Sequence, residues 1–328
     1  MYPFVFQVEK ISVRLKEVFN DSLQGATWMD TENKMKALQK LQKMVAKIGY
    51  SPWLLNTTVL QHLYKYVPSF NQSTSFLKMM YLTNENNDII MMERLRQEYD
   101  TDSDWHLSFS TVTTHYDPSS NEFVCPMAGM QSPFYQFGLP WSLNVGAIGS
   151  VIAHEMTHGF TGRGSYYDAD GRPRPIWPNS KYKTKTECFV QQYEKITDEE
   201  TNIPINGTQT LDENIADNSG LELAYAAYRR MVEEDCDNTT TTLESLPDFT
   251  GPQLFFIGNA MSWCSVVKAG SFRRPVPYMR YSPSKYRVNL PMQNLPEFAT
   301  AFNCSSESAM YKNSTETCSL WRPTLTTE

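Results

Sequence analysis

The stretch Val151–Phe160, VIAHEMTHGF, sets two histidines four residues apart with a glutamate directly after the first. The longer run from Leu143 to Phe160 is apolar and uninterrupted by proline, so it predicts a buried helix that carries the three polar residues. On a helix, positions i and i+4 are about 40° apart and their side chains stack, so His154 and His158 can present two ring nitrogens to one ion. Glu155 is turned aside by about 100°, which places it beside such an ion and not on it, where a carboxylate can take a proton from water. The plain alternative is a polar stripe on an ordinary amphipathic helix. The H-E-x-x-H spacing favours a zinc site of the hydrolytic kind.

Two histidines are too few for a catalytic zinc, which takes three protein ligands and leaves a fourth position open. The five histidines are His62, His106, His115, His154 and His158, so no third histidine follows the motif. Carboxylates remain, chiefly Glu187 in TKTECF and Glu213 in LDENIADNSG. Glu213 has the better neighbourhood, because it opens an apparent helix and Asp217 lies one turn on, placed to hold the second ring nitrogen of a zinc-bound histidine.

Composition narrows the class. A chain of 328 residues with 41% hydrophobic and 13% aromatic content can bury a large core. A formal charge of −7 supplies no basic field, which excludes nucleic acid as a partner. No run approaches the length of a membrane span, and MYPFVFQVEK lacks the basic start and cleavage site of a secretory signal. Six cysteines without a CxxC pair exclude a zinc ribbon and make disulfides plausible. Asn20, Asn56, Asn71, Asn206, Asn238, Asn303 and Asn313 each open an N-x-Ser/Thr acceptor. Cysteines and acceptors together predict an extracellular or cell-surface protein, with an entry signal upstream of Met1.

Along the chain, Thr31–Ile48 reads as one helix capped by Asp30 and ended by Gly49, with a second helix over Val8–Phe19 and weaker ones over Leu54–Tyr66 and Ser75–Tyr99. From Trp105 to Thr113 apolar and polar residues alternate, which predicts a strand; DPSSN predicts the turn and EFVCP the returning strand of a hairpin. RGSYYDADGRPRPIWPNS is a loop by composition, and Leu211–Val232 is a further helix.

With these residues in view, the chain resembles the neprilysin and endothelin-converting-enzyme family of zinc metallopeptidases. VIAHEMTHGF and ENIADNSGL correspond to that family's paired zinc motifs; LQGATWMDTENKMKAL, CPMAGMQSPFY, LFFIGNAMSWC and MQNLPEFATAFNC match further segments, so the likeness covers nearly the whole chain. It implies a mainly α-helical α+β fold with a thermolysin-like zinc peptidase core and a small β-sheet. Residues 1–104 would be a helical segment from the family's covering lobe and connecting helices, 105–322 the catalytic domain, and 323–328 a tail. It implies one Zn2+ per chain on His154, His158 and Glu213, with Glu155 as base and Asp217 behind a histidine, and peptides as substrates. The chain would be the C-terminal part of a longer protein. Cys188 and Cys318 occupy positions that pair in the family. Cys264 and Cys304 occupy positions whose partners lie outside this chain, so they are expected to be free or to pair with each other; Cys125 and Cys236 match no family cysteine.

Departures from the family pattern concern substrate handling. The family's D-x-HSP segment, whose histidine hydrogen-bonds the oxyanion, reads MRYSPSKYR here, with Met279 for the acid and Tyr281 for the histidine. A phenol can donate one hydrogen bond in its place, or simply pack as an aromatic. Arg287 matches an arginine that binds substrate backbone. The family's NAFY strand reads TTHY, with Thr113 at the asparagine that binds substrate and Thr114 after it, and acids after the second histidine are replaced by Thr161 and Gly162. Two functions follow as expectations: a zinc endopeptidase of reduced activity, or a zinc-binding pseudopeptidase that holds peptides or a partner protein without turnover.

Overall fold

The computed structural model describes residues 3–97, 105, 107–177, 180–199, 202–236, 242–266 and 280–322. Met279, Asn238, His106, the end of the expected Ser75–Tyr99 helix and the 323–328 tail lie outside them.

Helix α1 (Pro3–Gly25) buries Val8, Ile11, Leu15 and Phe19 at near-helical spacing. Helix α2 (Thr31–Lys43) starts where expected: Asp30 Oδ1 accepts from the Asn33 N–H at 2.8 Å, and Glu32 favours the first turn electrostatically. It stops earlier than expected, because Val45–Gly49 is not helix but strand β1. Val45 and Ile48 fit a helical period equally well; pairing with a distant strand settles the matter. Gly49, at φ +86°, ends the strand and not a helix. The expected helix over Leu54–Tyr66 is a 3₁₀ turn, Pro52–Leu55, followed by α3 (Thr57–Leu63), because Asn56 caps the second piece through Thr58 and Val59. Helix α4 (Phe76–Arg94) follows.

The hairpin is present but short. Strand β2 covers only His115–Asp117, antiparallel to β3 (Glu122–Pro126), and β1 runs parallel on the other side of β3, giving the order β1-β3-β2. The alternating residues before Thr113 are a correction: within the described part, 107–114 is turn and extended chain, with no ladder partner. The segment is largely exposed, Phe109 included, and it is held by the Phe109 carbonyl, which accepts from Ala128 N–H at 3.0 Å. β3 is central and buried along its whole length.

The motif helix is continuous from Trp141 to His158, built from α5 (Trp141–Asn144), a π-helical turn (Val145–Gly149) and α6 (Ser150–His158). Its exit is pinned. Phe160 packs on Phe19 at 4.8 Å between ring centroids, and its carbonyl accepts from the Trp177 indole at 2.6 Å. After α7 (Ser180–Glu194), helix α8 (Leu211–Asp235) lies against α6. Gly220 permits this approach: a Cβ there would stand 2.9 Å from His154 N and 2.9 Å from Ser150 O. Helices α9 (Gly251–Met261), α10 (Ser284–Gln293) and α11 (Pro296–Ala301) complete the fold. One apolar core runs from Val5 to Trp321 and joins α1, β1, α6 and α8. Cys188 and Cys318 are disulfide-bonded, as the resemblance implied, while Cys125, Cys236, Cys264 and Cys304 are free. Among the described residues no helix is long and apolar enough to cross a membrane.

Candidate metal centre

The spacing of Glu213, Asp217 and Gly220 puts all three on one face of α8, and that face meets α6. Gly220 supplies the close approach, so the two carboxylates reach the histidines.

His154 Nε2 and His158 Nε2 are 2.9 Å apart, and Glu213 Oε2 stands 3.3 Å from the first and 3.5 Å from the second. A tetrahedral zinc with ligands at 2.0–2.1 Å requires donor atoms about 3.3 Å apart, so this triangle has the right size. The other nitrogen of His154, Nδ1, donates to Asp217 Oδ1 at 2.9 Å, which turns the Nε2 lone pair toward the triangle. Glu213 is 1% exposed; Arg280 Nε stands 2.9 Å from its Oε1, and its Oε2 faces the two histidine rings. A buried carboxylate needs such partners, and Oε2 is the atom left to complete a ligand set with the two imidazoles. Burial pulls the His154 pKa down, but hydrogen bonds with Asp217 and Glu213 outweigh it and raise it to about 10. Burial pushes Glu213 up, yet the two histidines win and hold it well below the ordinary carboxylate range. Two imidazole nitrogens and a carboxylate oxygen thus converge on one point, a donor set that could hold a divalent ion.

Glu187, the other carboxylate open from sequence, is exposed on α7 and takes no part in the cluster. Glu155 is 7% exposed and accepts from the Thr114 hydroxyl at 2.7 Å. Thr114 thus touches the expected base. Thr113 is exposed in the same extended stretch, and both line a cleft of about 590 Å³ that contains the metal cluster.

Arg287 is tied down. Its Nε and Nη2 donate to Asp217 at 2.6 and 2.8 Å, and its guanidinium lies over the rings of Trp263 at 4.2 Å and Tyr281 at 4.8 Å. Burial would lift Asp217, but Arg287 and His154 keep its pKa below the usual value. Tyr281 is 44% exposed; burial, then the Glu213 charge, raises its pKa, so the phenol stays protonated and able to donate. Sequence reasoning missed Arg280, whose Nε stands 2.9 Å from Glu213 Oε1. Its only signal was a cation directly before the altered oxyanion position. Trp263, whose ring lies 4.2 Å from the Arg287 guanidinium, fell within the matched segment LFFIGNAMSWC, but no role was read for it there.

The sequence profile of peptidase family M13 matches residues 113–318, and its N-terminal profile matches residues 6–51. The chain belongs to peptidase family M13. It is 32% identical over 319 residues to neprilysin-1 of Trittame loki, covering 96% of this chain and 44% of that protein. With human endothelin-converting enzyme 1 it shares 35% over 321 residues, covering 95% of this chain and 40% of the relative. The chain spans less than half the length of these curated relatives. Among solved structures, the Mycobacterium tuberculosis zinc metalloprotease Zmp1 in its open state superposes with a TM-score of 0.83 at 26% identity, over 98% of this chain and 49% of that one. A Haemonchus galactose-containing glycoprotein complex gives 0.83 at 26%, over 97% and 49%. These matches bear out the mainly helical zinc-peptidase fold expected of an M13 chain, and M13 membership implies a zinc cofactor.

Proposed function

We propose that this chain carries the catalytic centre of a zinc metalloendopeptidase that hydrolyses peptide bonds of oligopeptides, with one zinc per chain held by His154, His158 and Glu213. The observation that supports it above others is the triangle of donor atoms at 2.9, 3.3 and 3.5 Å with Glu155 buried beside it. Zinc in such a site supplies a Lewis acid and lowers the pKa of water to near 7. Glu155 takes the proton of the attacking water and returns it to the leaving amine, and Thr114 fixes the carboxylate for that work through Oε1. Asp217 orients His154 and is itself oriented by the two-point contact with Arg287. Tyr281 offers its phenolic hydrogen from the cleft wall, and Thr113 meets the extended peptide from the 111–114 stretch.

An extracellular or cell-surface setting is part of the same reading. The Cys188–Cys318 bond suits an oxidising compartment, and Asn56, Asn71, Asn206, Asn303 and Asn313 are exposed and open to glycosylation. The test is metal analysis beside peptide cleavage on one preparation. Glu155→Gln is expected to keep its zinc and to lose about 10²- to 10⁴-fold in turnover, the usual worth of a general base. Full activity in that variant rejects the mechanism.

A further inference from the structure

We propose that Arg280 is the charged donor that meets the oxyanion when water adds to the scissile carbonyl, a task the family resemblance gives to a histidine at position 281. The inference rests on the endopeptidase reading. Arg280 is anchored by Nε, 2.9 Å from Glu213 Oε1, while the other oxygen of the same carboxylate faces His154 and His158. Its guanidinium is therefore one carboxylate away from the point where the donors converge. Glu213 is its one ion-pair partner among the described residues, and its side chain is 67% exposed in the cleft wall.

The neighbouring guanidinium cannot serve in the same way. Arg287 is 11% exposed and has committed two donors to Asp217, whereas the Arg280 side chain, among the residues lining the cleft, is 67% exposed and holds Glu213 through Nε. Both guanidinium groups lie near the Tyr281 ring, Arg280 at 5.9 Å and Arg287 at 4.8 Å from its centroid. A hydrogen bond from a charged donor is roughly twice as strong as one from a neutral hydroxyl, which favours Arg280 over Tyr281 for a full negative charge. Arg280 itself transfers no proton: as water adds, the carbonyl π pair moves onto oxygen and the guanidinium N–H donates to that oxygen, while Glu155 carries the water's proton to the amine nitrogen, and the contact ends when the carbonyl reforms and the amine leaves. Removing an enclosed oxyanion donor costs about 10²- to 10³-fold, and solvent screening of an exposed guanidinium lowers the expectation to about 10- to 100-fold.

The test uses the zinc-loaded chain as wild type, Arg280→Ala, Arg280→Lys and Tyr281→Phe. It measures the zinc dissociation constant, kcat and KM on one peptide, and the affinity for the matching phosphonate peptide, whose tetrahedral anion resembles the addition intermediate. Arg280→Ala is expected to lose about 10- to 100-fold in kcat and the same factor in phosphonate affinity, with KM and zinc affinity unchanged, and Arg280→Lys to recover part of both. Unchanged phosphonate affinity in Arg280→Ala overturns the proposal. So does a weakened zinc site, which would make Arg280 only a positioner of Glu213, or a loss that appears in Tyr281→Phe instead. If the wild type holds zinc and binds the phosphonate yet cleaves nothing, the endopeptidase reading fails, and the phosphonate comparison still decides for or against Arg280.

Discussion

Asp217 links the metal centre to the fold, and Asp217→Asn separates its two duties. In the native site Oδ1 accepts from His154 Nδ1 at 2.9 Å and from Arg287 Nη2 at 2.8 Å, while Oδ2 accepts from Arg287 Nε at 2.6 Å. Asparagine is nearly isosteric but replaces one oxygen with an NH2 group, so in either orientation a donor faces a donor. Stranding one member of a buried ion pair costs about 3–5 kcal/mol. Arg287 would still have Glu213 Oε2 at 3.7 Å and the Trp263 face at 4.2 Å, so the lower end, about 3 kcal/mol, is expected. The histidine contact is a separate quantity: losing such a partner lowers metal affinity about 10- to 100-fold. Urea unfolding of the metal-stripped protein reads the first effect free of metal linkage, and chelator competition reads the second. Adding Arg287→Met removes the stranded cation, and the double variant is expected to regain most of the stability without regaining zinc affinity. An apo-protein loss below about 1 kcal/mol in Asp217→Asn, or zinc affinity that returns together with stability, would refute this division of labour.

Gly220→Ala is expected to destabilise the protein by about 1–3 kcal/mol and to weaken zinc binding, because the new methyl meets backbone atoms of α6 at 2.9 Å and pushes Glu213 away from the histidines. A thermal melt and a zinc titration check this, and an unchanged titration would show that α8 can shift without opening the triangle. Lys40 is fully buried and donates to Gly164 O at 2.7 Å and Tyr167 O at 2.8 Å, tying α2 to the chain that leaves α6. Burial, against the smaller pull of Asp168, lowers its pKa to about 7, compared with about 10.4 in an unfolded chain. Below pH 7 both states hold the proton and the burial penalty is complete; between about 7 and 10.4 the unfolded state binds more protons, so native stability rises with pH through that window. Stability measured from pH 6 to 10 should therefore climb in the wild type relative to Lys40→Met.

The grouping of His154, His158 and Glu213 that could hold a metal was legible where its residues are local in sequence. His154, Glu155 and His158 fall within five residues on one helix, and Glu213 with Asp217 repeats one turn of another, so helical spacing alone oriented each group. What spacing could not supply was the contact between the two helices, since Gly220, which permits it, reads as an ordinary helix-weakening glycine until His154 N is seen beside it. β1 was hidden because Val45 and Ile48 satisfy a helical period as well as a strand, and only the parallel register with Glu122–Pro126 decides between them. The 107–114 segment failed in the opposite sense: its alternation satisfies a strand pattern, yet Phe109 and Thr113 on the expected inward face are exposed and no ladder partner is present among the described residues. The arginines show the same limit in the site itself. Arg287 was expected to hold substrate, yet its strongest contacts are with Asp217, 70 residues earlier, and Arg280 drew no notice because a lone arginine gains meaning only from the carboxylate it meets. The local motif thus orients its own donors, whereas the guanidinium groups beside those donors come from a segment about 70 residues further along the chain.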